Sequence, residues 1–307
     1  MISCRQSSIL STSRRRLLKL SASALGAALV PGRARARPAP SKRRLIEGRY
    51  VPPSLGHEVA YAIHLPPASD RHDADLPILY FLHGLRDDQT VWEREGFADM
   101  TQELIDAGKI PPLAVALPDG RRGFYTNAWK DGPREEDAIF PDFVQFTEER
   151  LLGRRPRGRR AIAGISMGGY GAFKIALKQP REFAAIASLS GALAANDRYM
   201  LDVGEGRRGR YLLSVFGPRE DERMRDANDE YRVIRRLDPA AAPAIFLACG
   251  TEDHFDFDQG LAGVRDALLA RGVKAEVSVG NGRHAFSYWR RVMPEVLAFV
   301  ARNLEVG

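Results

Sequence analysis

A serine at the centre of a glycine-rich turn, Gly164-Ile165-Ser166-Met167-Gly168, is a candidate nucleophile. The apolar run 161–165 enters this turn and a helix-like run, 172–178, leaves it. A strand, a sharp turn and a helix in this order expose one serine hydroxyl at the end of a sheet. Glycines on both sides suit a strained turn with crowded neighbours. Because such a pentapeptide arises by chance in roughly one chain in ten of this length, the chemistry requires partner residues.

A carboxylate and an imidazole follow the serine in the order nucleophile, acid, base that one class of serine enzymes uses. Asp253 lies in a turn after the apolar run 244–249, which predicts a buried strand. His284 lies in a glycine-containing loop after 274–279, where polar and apolar residues alternate as in a strand. An imidazole can take the proton of Ser166, while a carboxylate fixes the tautomer and stabilises the imidazolium. We therefore predict these three residues as the catalytic group.

Other acids and histidines lie near these candidates in the sequence. Asp253 is favoured as the acid because a turn directly precedes it after the strand, and Asp256 is the reserve candidate. His284 is favoured as the base by chain order. The remaining acids read as a solvated loop and the other histidines as surface or packing residues; they are Glu252, Asp258, His57, His64, His72 and His254.

Backbone amides are predicted to stabilise the negative oxygen of a tetrahedral intermediate. The run 77–82 reads as a central strand, and His83-Gly84-Leu85 follows it directly. The Leu85 amide would supply one donor and the amide of Met167, next to the nucleophile, the other. Gly84 would allow close backbone approach to the substrate, although an ordinary turn at the end of a strand has the same composition.

Several separated motifs occur in a fixed order along the chain. They are Leu82-His83-Gly84 with Trp92, Leu117-Pro118-Asp119-Gly120, the run from Gly164 to Ala172, Cys249-Gly250-x-x-Asp253, and His284 with Tyr288-Trp289. Together they resemble the esterase D-like branch of the α/β-hydrolases, which includes feruloyl and acetylxylan esterases, S-formylglutathione hydrolases and mycolyltransferases. The resemblance covers about residues 43–304 and implies the triad and the two oxyanion amides already predicted. Ile165 and Tyr170 stand where S-formylglutathione hydrolases typically carry histidine, which disfavours that activity.

Two segments are candidates for substrate recognition. The loop 120–127 carries two arginines and aromatic residues that either bind an aromatic or anionic part of the substrate or cover the edge of the site. The Gly- and Arg-rich segment 191–222 does not fit the strand–helix alternation and is predicted to be a lid-like insertion. The tentative substrate-binding residues are His83, Gly84, Trp92, Arg121, Arg122, Tyr125 and Tyr170.

The order of elements predicts an α/β-hydrolase fold, with a mostly parallel sheet, an antiparallel N-terminal edge and helices on both faces. One hydrolase domain is expected over 43–307. Strands are predicted at 43–51, 58–65, 77–83, 112–117, 160–165, 184–189, 244–249 and 274–279. Helices are predicted at 90–107, 139–152, 168–179, 223–236, 257–271 and 285–303.

Residues 1–36 are predicted to be a twin-arginine export signal, followed by a short linker, 37–42. Arginines at 14–16 precede a moderately apolar stretch, and small residues near position 36 offer a cleavage site. The apolar stretch is too short for a full membrane span, so a periplasmic or secreted location without a stable span is expected. Seven of the 46 basic residues and no acidic residue lie in this leader, which leaves 39 of each sign in the remainder. That balance argues against a nucleic-acid partner.

No cofactor or metal is expected. The sequence lacks a His-Glu-x-x-His motif, a cysteine pair and a Gly-rich phosphate loop. Cys4 lies in the leader, and Cys249 is expected to be a packing residue. The sequence therefore predicts an exported serine esterase acting on a small-molecule or carbohydrate-linked ester. Two alternatives stay open: an acyltransferase that passes the acyl group to a sugar hydroxyl, and a non-catalytic envelope or binding protein on the same fold.

Overall fold

An eight-stranded sheet forms the centre of the protein. The computed structural model describes residues 43–67, 73–153, 157–193 and 206–305; the predicted leader and linker lie outside them. All eight predicted strands are present, within two residues of their expected bounds. They are β1 (Arg44–Tyr50), β2 (Val59–Leu65), β3 (Ile78–Leu82), β4 (Ala114–Pro118), β5 (Arg160–Ile165), β6 (Ala185–Leu189), β7 (Ala244–Gly250) and β8 (Ala275–Gly280).

The strands are arranged in the order β1-β2-β4-β3-β5-β6-β7-β8. β1 pairs antiparallel with β2, and β2 pairs antiparallel with β4, whereas every pair from β4 to β8 is parallel. The predicted antiparallel N-terminal edge is thus confirmed. Strands β3 to β6 are buried along their whole length. Burial on both faces explains why they read as continuous apolar runs.

Helices cover both faces of the sheet. Alternate residues of β3 point to opposite layers: Tyr80 packs into the core beneath one set of helices and Phe81 into the core beneath the other. No helix in the described ranges is long and apolar enough to cross a membrane. The helices are α1 (Val91–Arg94), α2 (Phe97–Asp106), α3 (Glu135–Asp137), α4 (Met167–Lys178), α5 (Gly206–Phe216), α6 (Glu222–Asn228), α7 (Glu230–Arg236), α8 (Phe257–Ala270) and α9 (Phe286–Arg302).

Three predicted helices are wrong in detail. The helix expected at 90–107 is interrupted at Gly96, whose φ of 75° is left-handed. The helix expected at 223–236 divides at Asp229, which is extended and caps α7 by accepting a hydrogen bond from the Arg232 amide. Over 139–152 the chain forms two wide, π-helical segments, Ala138–Phe143 and Phe146–Leu152.

The predicted insertion at 191–222 contains helix α5. Residues 194–205 of that insertion lie outside the described part of the chain. The buried side chains of α5, among them Leu212 and Phe216, pack into the same core as α4. This helix therefore packs as part of the core around the sheet rather than as a separate unit.

Candidate active site

The sharp turn between β5 and α4 presents Ser166. Its φ of 56° and ψ of −116° are strained for a residue with a side chain. The neighbouring glycines are required by close packing: a Cβ at Gly164 would lie 2.3 Å from the Gly168 carbonyl oxygen, and one at Gly168 would lie 2.0 Å from that of Leu82. Ser166 accordingly stands at the carboxyl end of β5, beside the turn that follows β3, with its side chain only partly buried.

Asp253 lies in the turn after β7 and its carboxylate is fully engaged. One oxygen accepts a hydrogen bond from the Phe255 amide at 3.0 Å, and the other contacts the Cys249 thiol at 3.5 Å and His284 at 2.7 Å. Burial acts to raise the pKa of Asp253, but the hydrogen bond and charge of His284 outweigh it and hold the pKa below its usual value. The carboxylate is therefore ionised at neutral pH.

His284 joins the acid to the serine. Its Nδ1 lies 2.7 Å from Asp253 Oδ2, and its Nε2 lies 2.9 Å from Ser166 Oγ. The two loops are pinned together, since the Glu252 amide donates to the Gly282 carbonyl at 2.8 Å. With Nδ1–H donating to the carboxylate, Nε2 is free to accept the serine proton. This hydrogen-bonded chain can activate a hydroxyl for attack on an electrophilic carbon.

Aromatic rings surround His284, and sequence reasoning missed two of them. Phe255, Phe257 and Trp289 lie with ring centroids 4.9, 5.4 and 5.0 Å from the imidazole, each roughly perpendicular to it. The indole of Trp289 is held in place by its hydrogen bond to Ser190 Oγ at 3.1 Å. The sequence signal that could have predicted them is the pair of phenylalanines, at positions 255 and 257, directly after Asp253. These rings restrict the orientation of His284 and limit its contact with water.

Two backbone amides near Ser166 are available as donors. Met167 opens α4, and the first amides of a helix have no partner within the helix. Within the described part of the chain, the Leu85 amide makes no hydrogen bond. The adjoining Gly84 lies close to the serine, since a Cβ there would be 3.7 Å from Ser166 Cβ. The amides predicted as an oxyanion hole therefore flank the turn that carries the serine hydroxyl.

The loop after β4 supports the turn that carries Leu85. The Gly120 amide donates to His83 Nε2 at 2.8 Å, so the ring proton is on Nδ1, which donates to the Gly84 carbonyl at 2.8 Å. The buried Tyr125 hydroxyl donates to the His83 carbonyl at 3.1 Å. These contacts fix the backbone on which the Leu85 amide is presented.

Four tentative substrate-binding residues are placed differently from the expectation. Trp92 has no exposed surface and packs against Phe81 at 4.7 Å, within the core. His83, Tyr125 and Tyr170 are also almost completely buried. Their bulky side chains fill the interior beneath the site, so in this structure they form its framework and not its surface. Arg121 and Arg122, by contrast, are exposed and line a separate pocket.

The alternative acids and bases lie elsewhere. Glu252 is exposed and pairs with Arg283 at 3.3 Å. Asp256 stands at the start of α8 in a left-handed conformation. The His254 ring lies 4.0 Å from that of Phe255, tilted by 40°, and 5.8 Å from that of His284, nearly perpendicular to it. Within the described residues, no hydrogen bond joins His254 to Ser166. In the described ranges, no group of three or more histidines, cysteines and carboxylates could hold a metal ion.

The sheet order, the strained serine turn after β5 and the loops after β7 and β8 define an α/β-hydrolase fold. Solved structures agree with this class. A ferulic acid esterase superposes with a TM-score of 0.70 at 22% identity, covering 86% of this chain and all of that one. An S-formylglutathione hydrolase from Staphylococcus aureus gives a TM-score of 0.68 at 22% identity, covering 85% of this chain and all of that one.

Residues 53–300 match the model of the family described as "Putative esterase", and the chain belongs to that family. An endo-1,4-beta-xylanase/feruloyl esterase of Xylanibacter ruminicola is 28% identical over 72% of this chain and 26% of its own length. An esterase of Mycobacterium tuberculosis is 28% identical over 79% of this chain and 56% of its own. An acetyl esterase of Caldicellulosiruptor saccharolyticus is 24% identical over 76% of this chain and 86% of its own. This chain thus spans about a quarter and just over half of the first two relatives.

Proposed function

We propose that the protein is a serine esterase that hydrolyses a carboxylic ester through an acyl-enzyme. The observation that carries the proposal is the hydrogen-bonded chain from Ser166 Oγ through His284 to Asp253, with contacts of 2.9 and 2.7 Å. In the first step, Ser166 Oγ attacks the ester carbonyl carbon while its proton passes to Nε2 of His284. Asp253, ionised and bonded to Nδ1, stabilises the imidazolium that forms.

The tetrahedral intermediate carries a negative oxygen, which the amides of Leu85 and Met167 stabilise. As it collapses, the bond to the alcohol breaks and the alcohol leaves with the proton from His284. Water then attacks the acyl-enzyme carbonyl and gives its proton to His284, and the acid departs as Ser166 recovers its proton. Each step uses only groups at the carboxyl ends of β3, β5 and β7 and the loop after β8.

The names of two relatives support a substrate class. Relatives whose names are feruloyl esterase and acetyl esterase support an ester that joins an acyl group to a small molecule or a carbohydrate. Phe255, whose ring lies 4.9 Å from that of His284, and Leu85, in the turn after β3, are 37% and 39% exposed, which supports an acyl group with apolar character.

The test compares wild-type protein with Ser166→Ala on p-nitrophenyl acetate and on a fluorophosphonate that labels activated serines. We expect turnover and labelling in the wild type and neither in the variant, with unchanged circular dichroism. Ser54→Ala, in the loop between β1 and β2, is the matched control and should retain both. An unlabelled wild type would favour the non-catalytic alternative, and acylated sugar formed on adding a sugar acceptor would favour the acyltransferase.

We further infer that residues 1–36 direct export through the twin-arginine route, to a periplasmic or secreted location. The support is the arginine run 14–16 ahead of a short apolar stretch. Fractionation of cells expressing the full chain should place the esterase outside the cytoplasm. The variant with both Arg15→Lys and Arg16→Lys should remain in the cytoplasm. Unchanged export of that variant would contradict the inference.

A further inference from the structure

Ser190, in the turn after β6, is a buried serine in an unfavourable backbone conformation. Its φ of 43° lies in the left-handed region, which favours glycine, and its side chain is shielded from water, since the residue is 1% exposed. A residue held in such a conformation is a reason to ask what its side chain contributes. The hydroxyl is the group that a glycine at this position would lack.

The Ser190 hydroxyl lies between two side chains that contact the catalytic residues. It accepts a hydrogen bond from Trp289 Nε1 at 3.1 Å, and it donates its own proton to the sulfur of Cys249. Burial, and next the charge of Asp253, raise the pKa of Cys249 to about 12, against a smaller opposing effect of the Ser190 hydrogen bond. The thiol therefore keeps its proton at neutral pH and is available as a donor.

The Cys249 thiol contacts the catalytic acid. It donates to Oδ2 of Asp253 at 3.5 Å, and the same oxygen lies 2.7 Å from His284 Nδ1. A donor on that oxygen withdraws negative charge from it and limits rotation of the carboxylate. The other oxygen, Oδ1, accepts a hydrogen bond from the Phe255 amide at 3.0 Å. Both oxygens of Asp253 thus have a donor in addition to His284.

The Trp289 indole contacts the imidazole directly. Its ring centroid lies 5.0 Å from that of His284, with the two planes at 86°. Because the rings pack edge to face, a shift of the indole changes the orientation in which the imidazole meets Ser166. The Ser190 hydroxyl is therefore connected to the imidazole in two ways, through the thiol and the carboxylate and through the indole.

We propose that Ser190 and Cys249 are positioning residues of the serine centre. Ser190 fixes the thiol and the indole, and these orient Asp253 and His284. The inference rests on the proposed ester hydrolysis and adds to it two buried residues that do not touch the reacting atoms. Loss of the Ser190 hydroxyl releases both supports and slows proton transfer. Loss of the thiol leaves more negative charge on the carboxylate, which stabilises the imidazolium; because only neutral His284 accepts the serine proton, activity then requires a higher pH.

Steady-state kinetics on p-nitrophenyl acetate from about pH 5 to pH 9 test both effects. Ser190→Gly removes the hydroxyl and relieves the backbone strain, and we expect kcat to fall roughly tenfold with KM unchanged. Cys249→Ala should move the midpoint of the acid limb of the kcat/KM profile up by roughly half a pH unit. Cys249→Ser keeps a donor and should return that midpoint close to the wild-type value. His254, the other titratable ring beside His284 among the described residues, is present in every variant. An unchanged kcat in Ser190→Gly, or the same profile for both Cys249 variants, would overturn the proposal.

Ser188→Ala is the matched control. Ser188 lies two residues earlier, on β6, and is also 1% exposed, but its Oγ has no hydrogen-bond partner among the described residues. The variant should keep the wild-type kcat and pH profile. A loss equal to that of Ser190→Gly would show a general packing effect and contradict the assignment.

A measurement without substrate separates this inference from the proposed function. The Nδ1 proton of His284, bonded to a carboxylate, gives a downfield proton NMR resonance that His284→Ala removes. Cys249→Ala should move this resonance further downfield, because Oδ2 then accepts more strongly from Nδ1–H, and Ser188→Ala should leave it in place. A wild type that neither turns over the ester nor reacts with fluorophosphonate would refute the hydrolysis. An unmoved resonance in Cys249→Ala would instead refute the positioning role.

Discussion

Two adjacent acids, Glu135 and Glu136 in α3, should make opposite contributions to the pH dependence of the free energy of unfolding. Each is 8% exposed. Burial raises the pKa of Glu135 from 4.5 to about 7, and the weaker effects of the Gly123 backbone and Arg121 do not offset it. Burial also acts to raise the pKa of Glu136, but the charges of Lys174 and Lys178 hold that pKa below its usual value.

The contribution of Glu135 to the free energy of unfolding follows from the coupling between proton binding and folding. The native state binds this proton more tightly than the unfolded chain, so its stabilising contribution is complete below pH 4.5 and is lost as pH rises through 7. With folded and unfolded pKa values of about 7 and 4.5, the full difference is about 3 kcal/mol, of which roughly 2–3 kcal/mol falls between pH 5 and pH 8.

Glu135→Gln keeps the shape of the side chain and removes its charge. We expect the free energy of unfolding of the variant, relative to wild type, to increase by roughly 2–3 kcal/mol from pH 5 to pH 8. Urea unfolding at four pH values across this range measures it. Far-ultraviolet circular dichroism at each pH should show that the substitution leaves the fold unchanged.

Glu136→Gln is the matched control, one residue along the same helix. Its carboxylate contributes stability above the unfolded pKa, and that contribution is lost as pH falls. The variant should therefore be less stable than wild type at pH 7 and approach it as pH falls toward 4. A pH-independent difference for Glu135→Gln, or the same slope for both variants, would refute the reasoning.

Three further predictions concern the serine centre and its supports. Asp253→Asn should lower kcat for a short p-nitrophenyl ester by roughly 10³–10⁴-fold, because the amide no longer holds the required tautomer of His284; near-normal kcat would exclude Asp253 as the acid. Gly168→Ala places a Cβ 2.0 Å from the Leu82 carbonyl oxygen, so a loss of more than about 3 kcal/mol in urea unfolding is expected. Burial and the nearby Asp253 raise the pKa of Cys249 to about 12, so peptide mapping should find this thiol alkylated by iodoacetamide at pH 8 only after unfolding.

Local sequence patterns were sufficient for the sheet and less so for the helices. Continuous apolar runs predicted β3 to β6 because strands buried on both faces have no polar side to maintain. The helix at 90–107 was not divided correctly, because Gly96 and its left-handed φ of 75° interrupt a pattern that is otherwise amphipathic. At Asp229 the side chain caps a new helix. In the sequence, an aspartate that caps a helix cannot be distinguished from an exposed aspartate within one continuous helix.

The sequence by itself determined which residue types could perform the chemistry and in which order they occur, since a glycine-flanked serine, an acid and a histidine each follow a predicted strand. Only the tertiary structure decided what surrounds them. Trp92 and Tyr125 read as surface aromatics of a site but fill the core. Lys174 lies on an apparently ordinary helix but is fully buried between Thr126 and Asn228, at 2.7 and 2.9 Å. The physical reason is that burial and pairing arise from contacts between segments far apart in the chain, which local periodicity does not encode.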